Sequence, residues 1–267
     1  MTSPLEELRT NGFCRLPQVY ESEHVRQTLD LVREWNEKQS LTENLPRLVR
    51  DTPQLWNLQS KDFSFLELLF EPRQVEELLI ACLNDPWYPS IPQDAPNYIL
   101  RAYQARSSSG ALPLHIDSFV PYKGDHTIAM QVSIVLEDMS AVNGCTIAVP
   151  GSHQSGEFAF QDALPDAVPL EAEAGDVVIW DSRLWHGATE NTSGRTRWAI
   201  IATFTRWWIK QAFKITENVP QDIYERLTPR QKAVLGYCTI PYNDESEGID
   251  MRHGYDVLDL EASTVAT

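Results

Sequence analysis

Leu112-Pro113-Leu114-His115-Ile116-Asp117, answered by Leu184-Trp185-His186-Gly187 and then by Arg197, is the part of this chain whose reading decides the rest. Side chains two apart on a strand project to one face, so His115 and Asp117 on an extended segment can grip the same ion. Two imidazoles and one carboxylate occupy one face of a six-coordinate Fe(II) and leave three positions open. The short motif alone carries little weight: six His and seventeen Asp in 267 residues give an accidental His-x-Asp at about 0.4 per chain. Order and context separate this one from chance. His186 follows the apolar run Val177-Val178-Ile179-Trp180, and Arg197 opens another, Trp198 to Phe204.

A chain of this length with 42% hydrophobic residues can bury one sizeable core, and an all-β chain of this size often remains a single domain. The expectation is therefore one domain over 1–267. The net charge of -16 and the absence of any basic run argue against nucleic acid or an anionic membrane as partner. Against that background, a buried acidic substrate would need local arginines. Cys14, Cys82, Cys145 and Cys238 lie far apart with no Cys-x-x-Cys, which reads as free thiols in a reducing compartment. With no basic-then-apolar leader and no apolar run of about 18 residues, the expectation is a soluble, cytoplasmic protein.

The period of the apolar residues changes along the chain. Val25, Leu29, Val32 and Trp35 form one stripe of a helix over 21–37, with Ser22 as its expected N-cap. A short strand over 11–17 precedes it, and helices are expected at 63–70 and 75–83, the latter stopped by Asn84-Asp85-Pro86. From Tyr98 onward the pattern alternates. Residues 128–136 read as a strand with two distinct faces, and Asn143-Gly144 and Pro150-Gly151 supply tight reversals around another. Two helical pieces, 222–227 and 229–235, come before a small polar tail from Glu261 that is expected to fray. The architecture that follows is mainly β: an antiparallel double sheet over about 98–210, with a helical N-terminal third and a helical C-terminal extension.

Taken together, Asn11-Gly12-Phe13, Leu112 to Asp117, Asn143-Gly144-Cys145-Thr146-Ile147-Ala148-Val149-Pro150-Gly151-Ser152-His153, Ala174-Gly175-Asp176 and His186 to Arg197 resemble the phytanoyl-CoA dioxygenase-like branch of the Fe(II)/2-oxoglutarate oxygenases. The resemblance implies a double-stranded β-helix (jelly-roll, cupin-like) core. It further implies that His115, Asp117 and His186 hold Fe(II), that 2-oxoglutarate and dioxygen are cosubstrates, and that ascorbate is a candidate reductant. Arg197 would receive the distal carboxylate of 2-oxoglutarate. A guanidinium fork matches a carboxylate bidentately, which suits that role. Arg195 shares the face of Arg197 on a regular strand and is the rival; family spacing and the apolar run favour Arg197. Thr146 and Gln131 are further candidates for hydrogen bonds to the cosubstrate, since buried polar groups must find partners.

The activity implied is hydroxylation of an unactivated C–H bond of a small metabolite. Halogenating relatives replace the carboxylate of Asp117 with a small residue, so its presence here favours hydroxylation. Desaturation, cyclisation and epoxidation would use the same ligands. Nothing signals a CoA ester, and no basic cluster awaits its phosphates; a specialised metabolite or amino-acid-like molecule fits better. Two other classes stay open: a cupin-like metal-binding module without turnover, and a zinc hydrolase, since the ligand set also suits zinc. His24, His126 and His253 read as surface residues, His153 as a structural hydrogen-bonding group, and Trp207-Trp208 as packing residues.

Overall fold

The computed structural model describes residues 2–47, 53–85, 95–107 and 110–248; His253 and the tail from Glu261 lie outside them. Among these residues the elements follow the order α1 (Pro4–Asn11), β1 (Phe13–Leu16), α2 (Ser22–Ser40), β2 (Gln54–Trp56), α3 (Phe63–Phe70), α4 (Arg73–Leu83), β3 (Tyr98–Ser107), β4 (Leu112–His115), β5 (Ala129–Val135), β6 (Thr146–Ala148), β7 (Val168–Pro169), β8 (Val177–Asp181), β9 (His186–Ala188), β10 (Trp198–Arg206), α5 (Ile215–Asn218), α6 (Gln221–Tyr224) and α7 (Pro229–Val234). The strands form a six-stranded sheet in the order β1-β8-β5-β10-β3-β2 and a four-stranded sheet in the order β4-β9-β6-β7. Crossovers between strands distant in sequence are those of the double-stranded β-helix core expected above.

Contacts divide the chain into two compact units, Met1–Leu58 with Tyr103–Ala202 and Gln59–Ala102 with Thr203–Thr267. In the first unit, Val135, Val178 and Trp180 of the larger sheet and Ala148 of the smaller one share a buried apolar cluster with Met139, Cys145 and Leu184. In the second, α3 and α4 bury Phe65, Leu66, Leu68, Leu79 and Leu83, and Tyr98 meets Phe204 edge-on at 5.5 Å. No helix among the described residues is long and apolar enough to cross a membrane.

Several expectations need correction. Helix α1 was not foreseen, although its signal is in the sequence: Ser3 caps it, Glu6 completes a reciprocal capping box, Pro4 takes the first turn and Gly12 closes it at φ 85°. Helix α2 is capped at Glu21, with no side-chain cap bond; Ser22 is its first residue. Strand β5 is buried on both faces along its whole length and lies in the interior of its sheet, between β8 and β10. Trp208 is exposed, so it is no packing residue.

Candidate metal centre

Strands β4 and β9 run antiparallel with His115 directly opposite His186. Their rings stand 4.3 Å apart between centroids. So close a pairing needs Gly187, since a Cβ there would come within 2.4 Å of the Leu112 carbonyl oxygen. Asp117 completes the cluster, with carboxylate oxygens 3.2 Å from His186 Nε2 and 3.7 Å from His115 Nε2. One ligand atom from each of the three residues lies within 4.8 Å of the others, a spacing that one ion can bridge. The strand pleat does not place Asp117, contrary to expectation. β4 ends at His115, and Asp117 is fixed instead by its backbone N–H donating to the Ser182 carbonyl at 2.8 Å.

Each imidazole presents the correct nitrogen. His115 Nδ1 bonds the Pro113 carbonyl and His186 Nδ1 the Leu184 carbonyl, both at 2.9 Å. A carbonyl only accepts, so both Nδ1 atoms carry a proton and Nε2 is the nitrogen each ring turns to the cluster, where an ion would take the place of the proton that His186 Nε2 shares with Asp117. The donor set therefore fits a divalent ion without rearrangement. His186 is buried, with 7% of its side chain exposed, whereas His115 keeps 41% and Asp117 28%, so the cluster is reached from solvent on the His115 and Asp117 side.

Electrostatics bind the three together. Burial pushes the Asp117 carboxyl up, but the neighbouring His186 charge and hydrogen bond, helped by His115, more than offset it and hold the carboxyl below its usual range. Burial lowers His186, and Asp117 reverses that to leave it raised. His115 is lowered by burial and by the facing His186. The buried Trp180 indole N–H makes no hydrogen bond of ordinary geometry, yet adds a small pull on Asp117 in the same direction as the imidazoles.

Arg197 is buried at 6% exposure, and Arg195 is exposed. Strand β10 starts only at Trp198, so Arg195 stays in the preceding turn, its carbonyl accepting from Asn191 Nδ2. The Arg197 backbone N–H donates to Ser107 Oγ at 2.9 Å; its guanidinium donates to the Gly144 carbonyl and touches Met139 Sδ at 3.5 Å. Its Nε remains a buried donor with no partner among the described residues. Burial, with the charge of Arg106, pushes this guanidinium down to about 10. An unpartnered buried N–H of this kind is what a bound carboxylate would satisfy.

Thr146 lies opposite Ala188 and two residues from Ala148, which faces His186; it therefore shares the face of β6 that carries the site. Gln131 is buried on β5 opposite Trp180. Two further histidines behave as expected: His126 is exposed and stacks on Tyr122, and the buried His153 reaches the Arg9 carbonyl at 3.3 Å; His24, expected at the surface, is half-buried and meets Tyr20 edge-on at 5.7 Å. One residue escaped notice in the sequence. Arg106 on β3 acts electrostatically on His115, Asp117, His186 and Arg197 alike. Its signal was the parity of Gln104 and Arg106, two polar residues at alternate positions that share one face of β3.

The family model for phytanoyl-CoA dioxygenase (PhyH) matches residues 8–199, a stretch that holds every residue of this cluster. The chain belongs to the phytanoyl-CoA dioxygenase family. Relatives in that family include a phytanoyl-CoA dioxygenase of Oryza sativa subsp. japonica, 33% identical over 111 residues, which are 34% of this chain and 40% of the relative. A dioxygenase of Aspergillus fumigatus is 29% identical over 143 residues, 52% of this chain and 46% of its own. An uncharacterised protein of Mycobacterium tuberculosis is 33% identical over 110 residues, 41% and 40% respectively. The chain thus spans less than half the length of these relatives. Among solved structures, HygX from Streptomyces hygroscopicus, crystallised with nickel and 2-oxoglutarate, superposes with a TM-score of 0.60 over 78% of this chain and 88% of its own at 16% identity. The epimerase SnoN from nogalamycin biosynthesis, in complex with Fe3+, alpha ketoglutarate and nogalamycin RO, gives 0.60 over 82% and 89% at 18% identity. Phytanoyl-CoA dioxygenase family membership rests on the model match; these two superpositions speak to the fold.

Proposed function

We propose that this protein is an Fe(II)- and 2-oxoglutarate-dependent dioxygenase that hydroxylates an unactivated C–H bond of a small organic metabolite. The observation that carries the reading is the cluster of His115, Asp117 and His186, with both Nδ1 atoms bonded to backbone carbonyls and both Nε2 atoms turned toward Asp117. These three side chains would hold the iron. When bound, iron supplies with 2-oxoglutarate and dioxygen an oxidant strong enough for an unactivated C–H bond, with ascorbate serving as external reductant.

The chain's own residues bind and orient. Arg197 is held by the Gly144 carbonyl and Ser107 hydroxyl, and its orphaned Nε would serve as a charge-assisted donor to the distal carboxylate of 2-oxoglutarate. Thr146 and Gln131 offer a hydroxyl and an amide to the same molecule. Buried Trp180 and Leu184 keep water from the inner side, while the half-exposed His115 and Asp117 leave the substrate side open. The Asp117 carboxylate fills the place a halide would need, which supports hydroxylation over halogenation.

The test is substrate-free: Fe(II), 2-oxoglutarate, ascorbate and oxygen are supplied and succinate is measured. The reading expects slow uncoupled succinate formation that zinc abolishes and iron restores. Metal binding without any succinate would favour a non-catalytic binding module, and hydrolytic activity with zinc would favour a hydrolase.

A further inference from the structure

We propose that Arg106 binds the carboxylate of a monoanionic organic substrate beside the metal centre, an inference that rests on the dioxygenase reading above. Arg106 on β3 stands opposite Gln54 of β2, and Gln104, two residues earlier on the same face, stands opposite Trp56. The two amides pair with one another, Gln54 Nε2 donating to Gln104 Oε1 at 2.5 Å. That leaves the Arg106 guanidinium, partly buried, with no hydrogen bond and no ion pair among the described residues. The next residue, Ser107, accepts the backbone N–H of Arg197, so Arg106 sits on the strand end that adjoins the arginine assigned to the cosubstrate.

A half-desolvated cation that no carboxylate meets in a direct ion pair is costly; Asp117 attracts its charge from a distance, and that charge also bears on both imidazoles and Arg197. The charge balance says what would relieve it. A divalent ion and a dicarboxylic cosubstrate cancel, Asp117 cancels one guanidinium, and the second remains. A monocarboxylate closes that balance, while a phosphate monoester, with a charge of about -1.5 to -2 near neutrality, would overshoot it. The chain's net charge of -16 repels anions at long range, so an acidic substrate needs a local fork of donors, and Arg106 is that fork.

The experiment uses the full chain under nitrogen with Fe(II) and saturating 2-oxoglutarate, titrated calorimetrically with matched pairs: benzoate and benzamide, hexanoate and hexanamide, cyclohexanecarboxylate and its amide. The acids should bind at least about tenfold tighter than the amides. In Arg106→Leu the preference should fall below about threefold, and Arg106→Lys, which keeps the charge but loses the fork, should lie between. The wild-type and lysine arms decide the matter if the leucine variant does not fold. A wild type with no preference for acids, including one that binds none of them, overturns the proposal, as does a preference that Arg106→Leu retains. Titration of 2-oxoglutarate supplies the second readout. Arg106→Leu should bind it within about fivefold of wild type; a loss as deep as that of Arg197→Ala would assign Arg106 to the cosubstrate and overturn the proposal. A wild type that binds no 2-oxoglutarate sinks the dioxygenase reading and this inference together. One that binds it yet ignores the acids sinks the inference alone.

Discussion

Replacing His115, Asp117 or His186 by alanine leaves two protein ligands, too few to retain a labile divalent ion at ordinary concentrations. Each variant is expected to lose stoichiometric Fe(II), read by equilibrium dialysis, and iron-dependent succinate formation, while far-ultraviolet circular dichroism stays that of the parent. Near-normal iron retention in any one would remove that residue from the ligand set. The two arginines offer a sharper contrast at the same scale. Arg197→Ala deletes a buried contact to a dicarboxylate and should cost about 2 to 5 kcal/mol, about thirtyfold to several thousandfold in affinity for 2-oxoglutarate. Arg195→Ala removes an exposed, salt-screened charge and should change affinity by less than about fivefold. Anaerobic titration followed by the metal-to-ketoacid charge-transfer absorption reads both. Alternation alone could not separate these two arginines, because residues two apart share a face of any strand. What separates them is where β10 begins, one residue after Arg197, and only the fold reveals that.

At the scale of elements, the close approach of β4 and β9 sets the distance between the two imidazoles, and Gly187 permits it. Gly187→Ala should drive a methyl group into the Leu112 carbonyl and pry the strands apart. Iron affinity should fall at least about tenfold with a smaller loss of thermal stability, and unaltered affinity would show that the strands tolerate the side chain. A second element-scale device is the contact of His153 with α1 through the Arg9 carbonyl. Burial holds this imidazole below its ordinary value. The unfolded chain therefore takes up a proton before the folded one does, and stability falls as pH drops through the window below about 6.5. The thermal advantage of the parent over His153→Gln at pH 7.5 should narrow by pH 5.5; an advantage that widens would reverse the sign. The sequence foretold these strands through apolar runs and turn residues, and it foretold α1 to a reader alert to Ser3-Pro4-Leu5-Glu6. It could not foretell that the Ser182 carbonyl positions Asp117, since that hydrogen bond joins residues that only the closed sheet brings together.

For the molecule as a whole, an ion that binds the native state alone adds stability in proportion to the logarithm of its concentration over its dissociation constant. At a hundredfold excess the gain is about 2.7 kcal/mol. Stripping metal with a chelator should therefore lower the melting temperature by about 5 °C or more, and Fe(II) with 2-oxoglutarate under nitrogen should restore it. A melting temperature indifferent to chelator and to added iron would argue that the cluster holds no ion in solution. The arrangement of the imidazoles has a wider consequence. The groups that aim them are the peptide carbonyls of Pro113 and Leu184, which every amino acid at those positions would supply. No single substitution deletes such a contact, and no change of pH within the physiological range discharges it. The aim of the two ligands is thus written into the backbone, and the side chains around the mouth are free to be rebuilt for new substrates without spoiling it.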